Sequence, residues 1–328
     1  MNRRRFLALP VVALAGLSLG LSLMGASGMA AAQQFPSRPV TYIVPWVPGG
    51  SSDASARALA RATSRYLGQQ VIIENRPGVG GVAGANTLAT IKPDGYTVAQ
   101  LPLGVYRVPH QQPTPYDVRD FAYLMNISGF EFGLIVPADS PLRSLAEVID
   151  FARANPGKLT YGTPGAYSTP HVIMEALAIK AGVEFNHIPF KGSAPQLQAV
   201  LGGHIMAGNG ATDFAPHVDA GKVRLLVSWG DKRIKRWPAV PTVKESGYDI
   251  TTRAEYGLAT AKGTDPAILK VLHDAFKKGL EDPEHVGSLA KFEQEVIYMS
   301  PEDYRRFALA TFEQERALVE AIMKREKR

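Results

Sequence analysis

Four times the chain repeats one plan: a short β-branched or aromatic run, a loop of Gly, Ser, Thr and Pro, then a stretch with helical spacing. The first copy reads VTYIVPW, VPGGSSD, ASARALARATSRYLG, and the second KLTYG, TPGAYSTPH, VIMEALAIKAG. The third is FNHIPF, KGSAP, QLQAVLGG, and the fourth, HIMAGNGATDFAPHVDAGKVRLLVSW, predicts a helix near residues 213–220 between two strands. Such alternation restricts the chain to the α/β class, with mainly parallel sheets, right-handed crossovers and helices on both faces. Sheets of this kind receive ligands beyond the carboxyl ends of their strands, and the Gly/Ser/Thr-rich loops fall at that edge.

Helical spacing is clearest in the first copy. Ala56, Leu59, Ala60, Thr63 and Leu67 share one face, Arg57, Arg61 and Arg65 lie opposite as a solvated stripe, and Gly68 is the expected stop. Between the first and second copies the pattern predicts a strand in QQVIIENRPG, a small helix near residues 83–90, a turn at PDG and a strand in GYTVAQLP. Ser144 and Glu147 have capping-box spacing at the start of a further helix, and the tail from PAILKV onward is largely helical.

Residues 1–32 stand apart. A basic start, an apolar run and Ala30-Ala31-Ala32 read as an export signal cleaved near Ala32, and Arg3-Arg4-Arg5-Phe6-Leu7 also fits the twin-arginine pattern. Loss of the three arginines takes the formal charge from +6 to +3, too mild to argue for nucleic acid. With no cysteine, disulfides, thiol catalysis and iron–sulfur clusters are excluded. The remainder is long enough for two α/β lobes of a soluble, periplasmic protein.

The motifs bear on several chemistries. GVGGVAG, residues 78–84, contains a loose dinucleotide fingerprint, but ENRPG separates it from its strand, so it reads as a loop packed between lobes. The phosphate-loop and Gly-x-Ser-x-Gly patterns are absent, and seven scattered histidines make no metal pair, so neither cofactor nor metal is expected. Ser51 or Ser168 with His171 as base is a nucleophile arrangement that no spacing selects; His171 is expected to open its helix. Two readings of the first turn then remain. Ser51, Ser52 and Asp53 are ordinary caps, or the free amides of the helix start seat an anion, with Gly49 and Gly50 allowing close approach. The recurrence of the pattern at Ser168 and Thr169 favours the seat.

VPWVPGGSSD, IIENRPGVGGVAGAN, PDGYTV, NPGKLTYGTPGAYSTPH, HIPFKGSAPQLQAVLGG, HVDAGKVRLLVSW, WPAVPTVKESGYD and SPEDYRRF, in this order, resemble the Bug-type periplasmic receptors of tripartite tricarboxylate transporters. The resemblance implies a two-lobed periplasmic binding protein, type II-like, with crossover strands joining lobes at residues 33–130 plus 256–328 and 131–255. It implies a non-enzymatic, monomeric receptor that binds a small organic acid and delivers it to large and small membrane subunits. The implied site residues are Trp46, Pro48, Gly49, Gly50, Ser51, Ser52 and Asp53 in the first turn. Thr163, Gly165, Ala166, Tyr167, Ser168, Thr169 and His171 come from the second lobe, with the Lys191-Gly192-Ser193 loop nearby. Asn209 stands where the family often has Asp, and Glu255 lies near the expected hinge. For the far half of the ligand, Trp46, Tyr167 and Phe132 suit a flat ring, Asp53 or Glu255 an ammonium, and Lys191 a second carboxylate. The rival readings are an exported hydrolase or dehydrogenase using the same cleft, and a ligand sensor.

Overall fold

The computed structural model describes residues 35–252 and 254–326; the expected export signal lies outside them. The chain first builds β1 (Val40–Val44), α1 (Ser51–Leu67), β2 (Val71–Asn75), α2 (Ala83–Leu88), β3 (Thr97–Leu101), α3 (Gly104–Gln111) and β4 (Phe121–Phe130). After Glu131 it enters a second body: β5 (Phe132–Pro137), α4 (Leu145–Ala154), β6 (Leu159–Thr163), α5 (Thr169–Ala181), β7 (Phe185–Pro189), α6 (Ser193–Leu201), β8 (Ala207–Ala211), α7 (Ala215–Asp219) and β9 (Val223–Ser228). It returns through β10 (Ala254–Ala261) and closes with α8 (Pro266–Leu280), α9 (Pro283–Ala290), β11 (Val296–Met299) and α10 (Pro301–Glu326).

The strands form two sheets, ordered β11-β4-β10-β3-β1-β2 and β7-β6-β8-β5-β9. Both are mixed, where the repeat pattern predicted mainly parallel sheets. The repeats do make parallel neighbours, β2/β1/β3 and β7/β6/β8. The crossover strands add antiparallel pairs, β3/β10/β4/β11 and β8/β5/β9. A strand returning from the other body enters its sheet from the opposite end, so its direction is reversed. β4 and β10 pair from Ala254/Phe130 to Ala261/Phe121, which sets the two crossings side by side.

Local chemistry accounts for the elements. Ala56, Leu59, Ala60, Thr63 and Leu67 are buried beneath α1, and Gly68 ends the helix at φ 73°. Ser144 accepts from the Glu147 amide at 3.2 Å, while the Glu147 carboxylate accepts from the Arg143 amide. The arginine stripe is exposed but not idle: Arg61 and Arg65 pair with Glu284 at 2.6 and 3.1 Å, and Arg65 also with Asp282, pinning the start of α9 to α1. One large apolar core runs through both bodies, and α10 lies against α3, β4 and α5. A second core, around Val200, Phe214 and Leu225, belongs to the second sheet alone.

Candidate functional site

A cavity of about 50 Å³ lies where the two bodies meet. A water needs roughly 10–15 Å³ on such a measure, so the space suits a few waters or one compact molecule. Four helices begin at its wall, α1 at Ser51, α3 at Gly104, α5 at Thr169 and α6 at Ser193, and each lends a lining residue. None of the four is capped by the side chain of its own N-cap residue; the first amide of α1 is instead taken by Asp213 from across the cavity mouth. Helices α4, α8 and α9, which start elsewhere, are capped by Ser144, Asp265 and Asp282. Helices α2 and α7 also start without a side-chain cap, so what sets the four apart is their place: residues of each first turn line the cavity, where helix starts bring unpaired amides and the positive ends of their dipoles. Phe130, Phe132, Leu103 and Ala254 form an apolar wall, with Phe130 stacked on Tyr256 at 4.3 Å.

The first turn is held from behind. Asp53 accepts from the Gly49 amide at 3.1 Å, from Asn75 Nδ2 at 2.9 Å and from Arg57 Nε at 3.0 Å. Asn75 also donates to the Trp46 carbonyl at 2.9 Å. Burial alone would raise the Asp53 carboxyl, but Arg57, Asn75 and the Gly49 amide outweigh it and hold it below the usual range. Ser52 Oγ donates to buried Gln100 at 3.0 Å. The Ser51 amide donates across the gap to Asp213 Oδ1 at 2.8 Å. Asp53 is the one charged side chain on the lining; no Lys, Arg or His is there among the described residues.

On the opposite side, Ser168 Oγ donates to the Gly165 carbonyl at 2.6 Å, and Thr163 Oγ1 donates to the same carbonyl at 3.0 Å. His171 Nδ1 accepts from the Tyr167 amide at 3.1 Å, and the His171 and His187 rings stack at 3.9 Å. Burial pulls His171 down to about 3, with His187 and Arg107 adding to it, and burial pulls His187 to about 4. A histidine so weakly basic, its Nδ1 already engaged, is no base for a serine that donates to a carbonyl. Asn209 spends both ends of its amide on Trp229 Nε1 and the Pro170 carbonyl, each at 2.7 Å.

Of the expected residues, Trp46, Gly50, Ser51, Ser52, Asp53, Ser168, Thr169 and Ser193 line the cavity. Pro48, Gly49 and Lys191 lie exposed outside it. Thr163, Gly165, Ala166, Tyr167, His171 and Gly192 shape the loops behind the wall. Asn209 is buried structure, and Glu255 follows the lining residue Ala254 in its strand without lining the cavity itself. Phe132 is on the wall and Tyr167 is not. The Gly-rich loop bridges the bodies: the Gly80 amide donates to the Ala166 carbonyl at 3.0 Å. Gly81, at φ 78°, leaves room for the Trp46 ring, which would stand 2.9 Å from a Cβ there. Sequence reasoning missed Arg107 and Asp213. Buried Arg107 donates to Glu315 at 2.6 and 2.7 Å and to Thr169 Oγ1 at 2.9 Å, just behind the start of α5. An arginine inside the apolar run GVYRVP was the available signal.

Residues 55–323 match the family model described as "Tripartite tricarboxylate transporter family receptor". A Cupriavidus necator protein, "UPF0065 protein in gbd 5'region", is 47% identical over 323 residues, covering 98% of each chain. Among solved structures, the periplasmic binding protein BugD is 27% identical with a TM-score of 0.84, covering 88% of this chain and 98% of its own. MatC of Rhodopseudomonas palustris, with bound malate, is 25% identical at a TM-score of 0.82, covering 87% of this chain and 100% of its own. A second R. palustris protein, with adipate, is 28% identical at 0.82, covering 88% and 98%.

Proposed function

This chain belongs to the tripartite tricarboxylate transporter receptor family, and from that premise we propose that it holds a small organic carboxylate between its lobes and presents the closed form to a membrane carrier. It is a solute receptor rather than an enzyme, as its family is. The observation that carries the ligand reading is the convergence of four helix starts without local caps, from both bodies, on one cavity without a lining cation. An anion there is met by backbone amides and hydroxyls. Dipole terms contribute roughly 0.3–1 kcal/mol each and charge-assisted hydrogen bonds about 1.5–3. A few of these together support micromolar affinity, about 8 kcal/mol.

In this reading residues 33–130 with 256–328 and residues 131–255 are the two moving lobes, and a ligand touching both favours closure. The malate and adipate held by the two R. palustris proteins support a carboxylate for this chain as well. The mature receptor, cut near Ala32, acts as a monomer in the periplasm and docks on large and small integral-membrane subunits. A calorimetric screen of organic acids on the mature protein tests the ligand class. At least one compact acid is expected to bind at micromolar concentration, and Gly50→Val, which drives a side chain against Ser193, is expected to abolish that binding. Absence of binding by any acid would overturn the reading.

A further inference from the structure

Among the described residues five hydroxyls line the cavity, and four of them spend their protons inside the protein. Ser52 donates to Gln100 at 3.0 Å and Ser168 to the Gly165 carbonyl at 2.6 Å. Ser51 and Ser193 hydrogen-bond Asp213, whose carboxyl is raised by burial and partly brought back by these hydroxyls. Asp213 also takes the Ser51 amide at 2.8 Å, so the starts of α1 and α6 already face a fixed carboxylate. Thr169 is the exception. Its Oγ1 accepts from Arg107 Nη1 at 2.9 Å, and among the described residues nothing accepts its proton. Its backbone amide has no acceptor there either. Thr169 is 6% exposed and lines the cavity. A buried hydroxyl that takes a bond from an arginine and keeps its own proton is a donor whose acceptor the protein does not supply.

Away from these hydroxyls the cavity has an apolar floor, made where the chain crosses between the bodies. Phe130 ends β4 and pairs with Ala254, and Phe132 opens β5 and pairs with Ala211. Residues opposite one another in register share a face, so each ring has a methyl group beside it rather than a second large side chain. All four line the cavity. The charges nearby are already matched: Asp53 by Arg57 at 2.9 Å, and Arg107 by Glu315 at 2.6 Å. A second ligand carboxylate would find no uncommitted cation on the lining among the described residues, and burying it unpaired is costly. We propose that the receptor takes a monocarboxylate with a short apolar chain. The carboxylate sits at the start of α5, on the Thr169 hydroxyl and amide, and the chain lies on the Phe130–Phe132 floor, its length set by Ala254 and Ala211. This rests on the carboxylate-receptor reading. It differs from the dicarboxylates, malate and adipate, held by the two R. palustris proteins.

The test is a matched series. Straight-chain acids of three to six carbons, each as the plain, ω-hydroxy and dicarboxylic form, are titrated calorimetrically into the mature protein. At the chain length bound best, the plain acid is expected to bind at least tenfold tighter than the dicarboxylate and at least threefold tighter than the ω-hydroxy acid. A smaller gap in either comparison, or a reversed one, overturns the proposal while leaving the receptor reading intact. If no acid of any form binds, the receptor reading itself falls. Two variants, each checked for folding by circular dichroism, test the placement. Thr169→Val keeps the shape and removes the donor, and is expected to weaken every plain acid at least tenfold. Ala254→Val fills the space beside Phe130, and is expected to weaken the longest plain acid bound at least fivefold and the shortest less than twofold. Affinity unmoved by Thr169→Val, or a loss at Ala254→Val that is uniform or absent, overturns the proposed placement whatever the wild-type series shows.

Discussion

Asp53 shows how one side chain can both line the site and hold its first turn in place. Its oxygens are taken by Gly49, Arg57 and Asn75, so it shapes the turn that presents the Ser51 and Ser52 amides. Asp53→Ala is expected to lower stability by about 2–4 kcal/mol in urea unfolding, from lost charge-assisted bonds and unpaired donors, and to weaken binding through the loosened turn. His171 and His187 make an acid-sensitive pair. Their folded pKa values lie near 3 and 4 and the unfolded value near 6.5, so between these limits the unfolded chain binds more protons. Their contribution is complete above about pH 6.5 and is lost as pH falls toward 4 and then 3. Urea titrations from pH 7 to 4 are expected to show falling stability. His171→Gln should flatten that slope by up to roughly 1.4 kcal/mol per pH unit; an unchanged slope would place the acid sensitivity elsewhere.

Among elements, α1 does two jobs, and they meet at its ends. Its N-terminus opens on the cavity, and its flank is clamped by α8 and α9. The α8 contact needs Gly279: a Cβ there would meet the Thr63 amide nitrogen at 2.9 Å, with Thr63 Oγ1 nearer still. On propensity alone Gly279→Ala would stabilise a helix by about 1 kcal/mol. Overlap with backbone cannot be relieved by a rotamer change, and overpacking costs about 1–3 kcal/mol. The net effect expected in thermal unfolding is destabilisation, and a higher melting temperature would refute this close approach. The absence of local N-cap side-chain bonds on α1, α3, α5 and α6 belongs to this scale too. Each start, read alone, resembles any helix beginning at Ser, Thr or Gly. Only together, facing one space, do they become a binding surface.

For the whole molecule, the two bodies share a core and are joined by hydrogen bonds at the cavity. These include the Gly80–Ala166 bond at 3.0 Å, the Val47–Lys191 bond at 3.3 Å, the Ser51–Asp213 bond and the Arg107–Thr169 bond. Arg107 is the most exposed to failure energetically because it is buried, with Glu315 nearly so. Arg107→Ala is expected to cost about 3–5 kcal/mol, since it strands the Glu315 carboxylate, whereas replacing both by apolar residues should recover much of that; denaturant unfolding of the single and double variants decides it. The α/β class, the repeats, the helix starts and the arginine face of α1 were all legible in the residues. Periodicity and turn chemistry are local, decided within a few positions of each residue. The sheet directions were not legible, because the reversal of β5 and β10 depends on where the chain crosses between bodies. Neither were the partners of Ser51 and Arg107, which lie 162 and 208 residues away. A buried polar group accepts whichever partner packing brings to it, and that choice exists only once both lobes have folded and met.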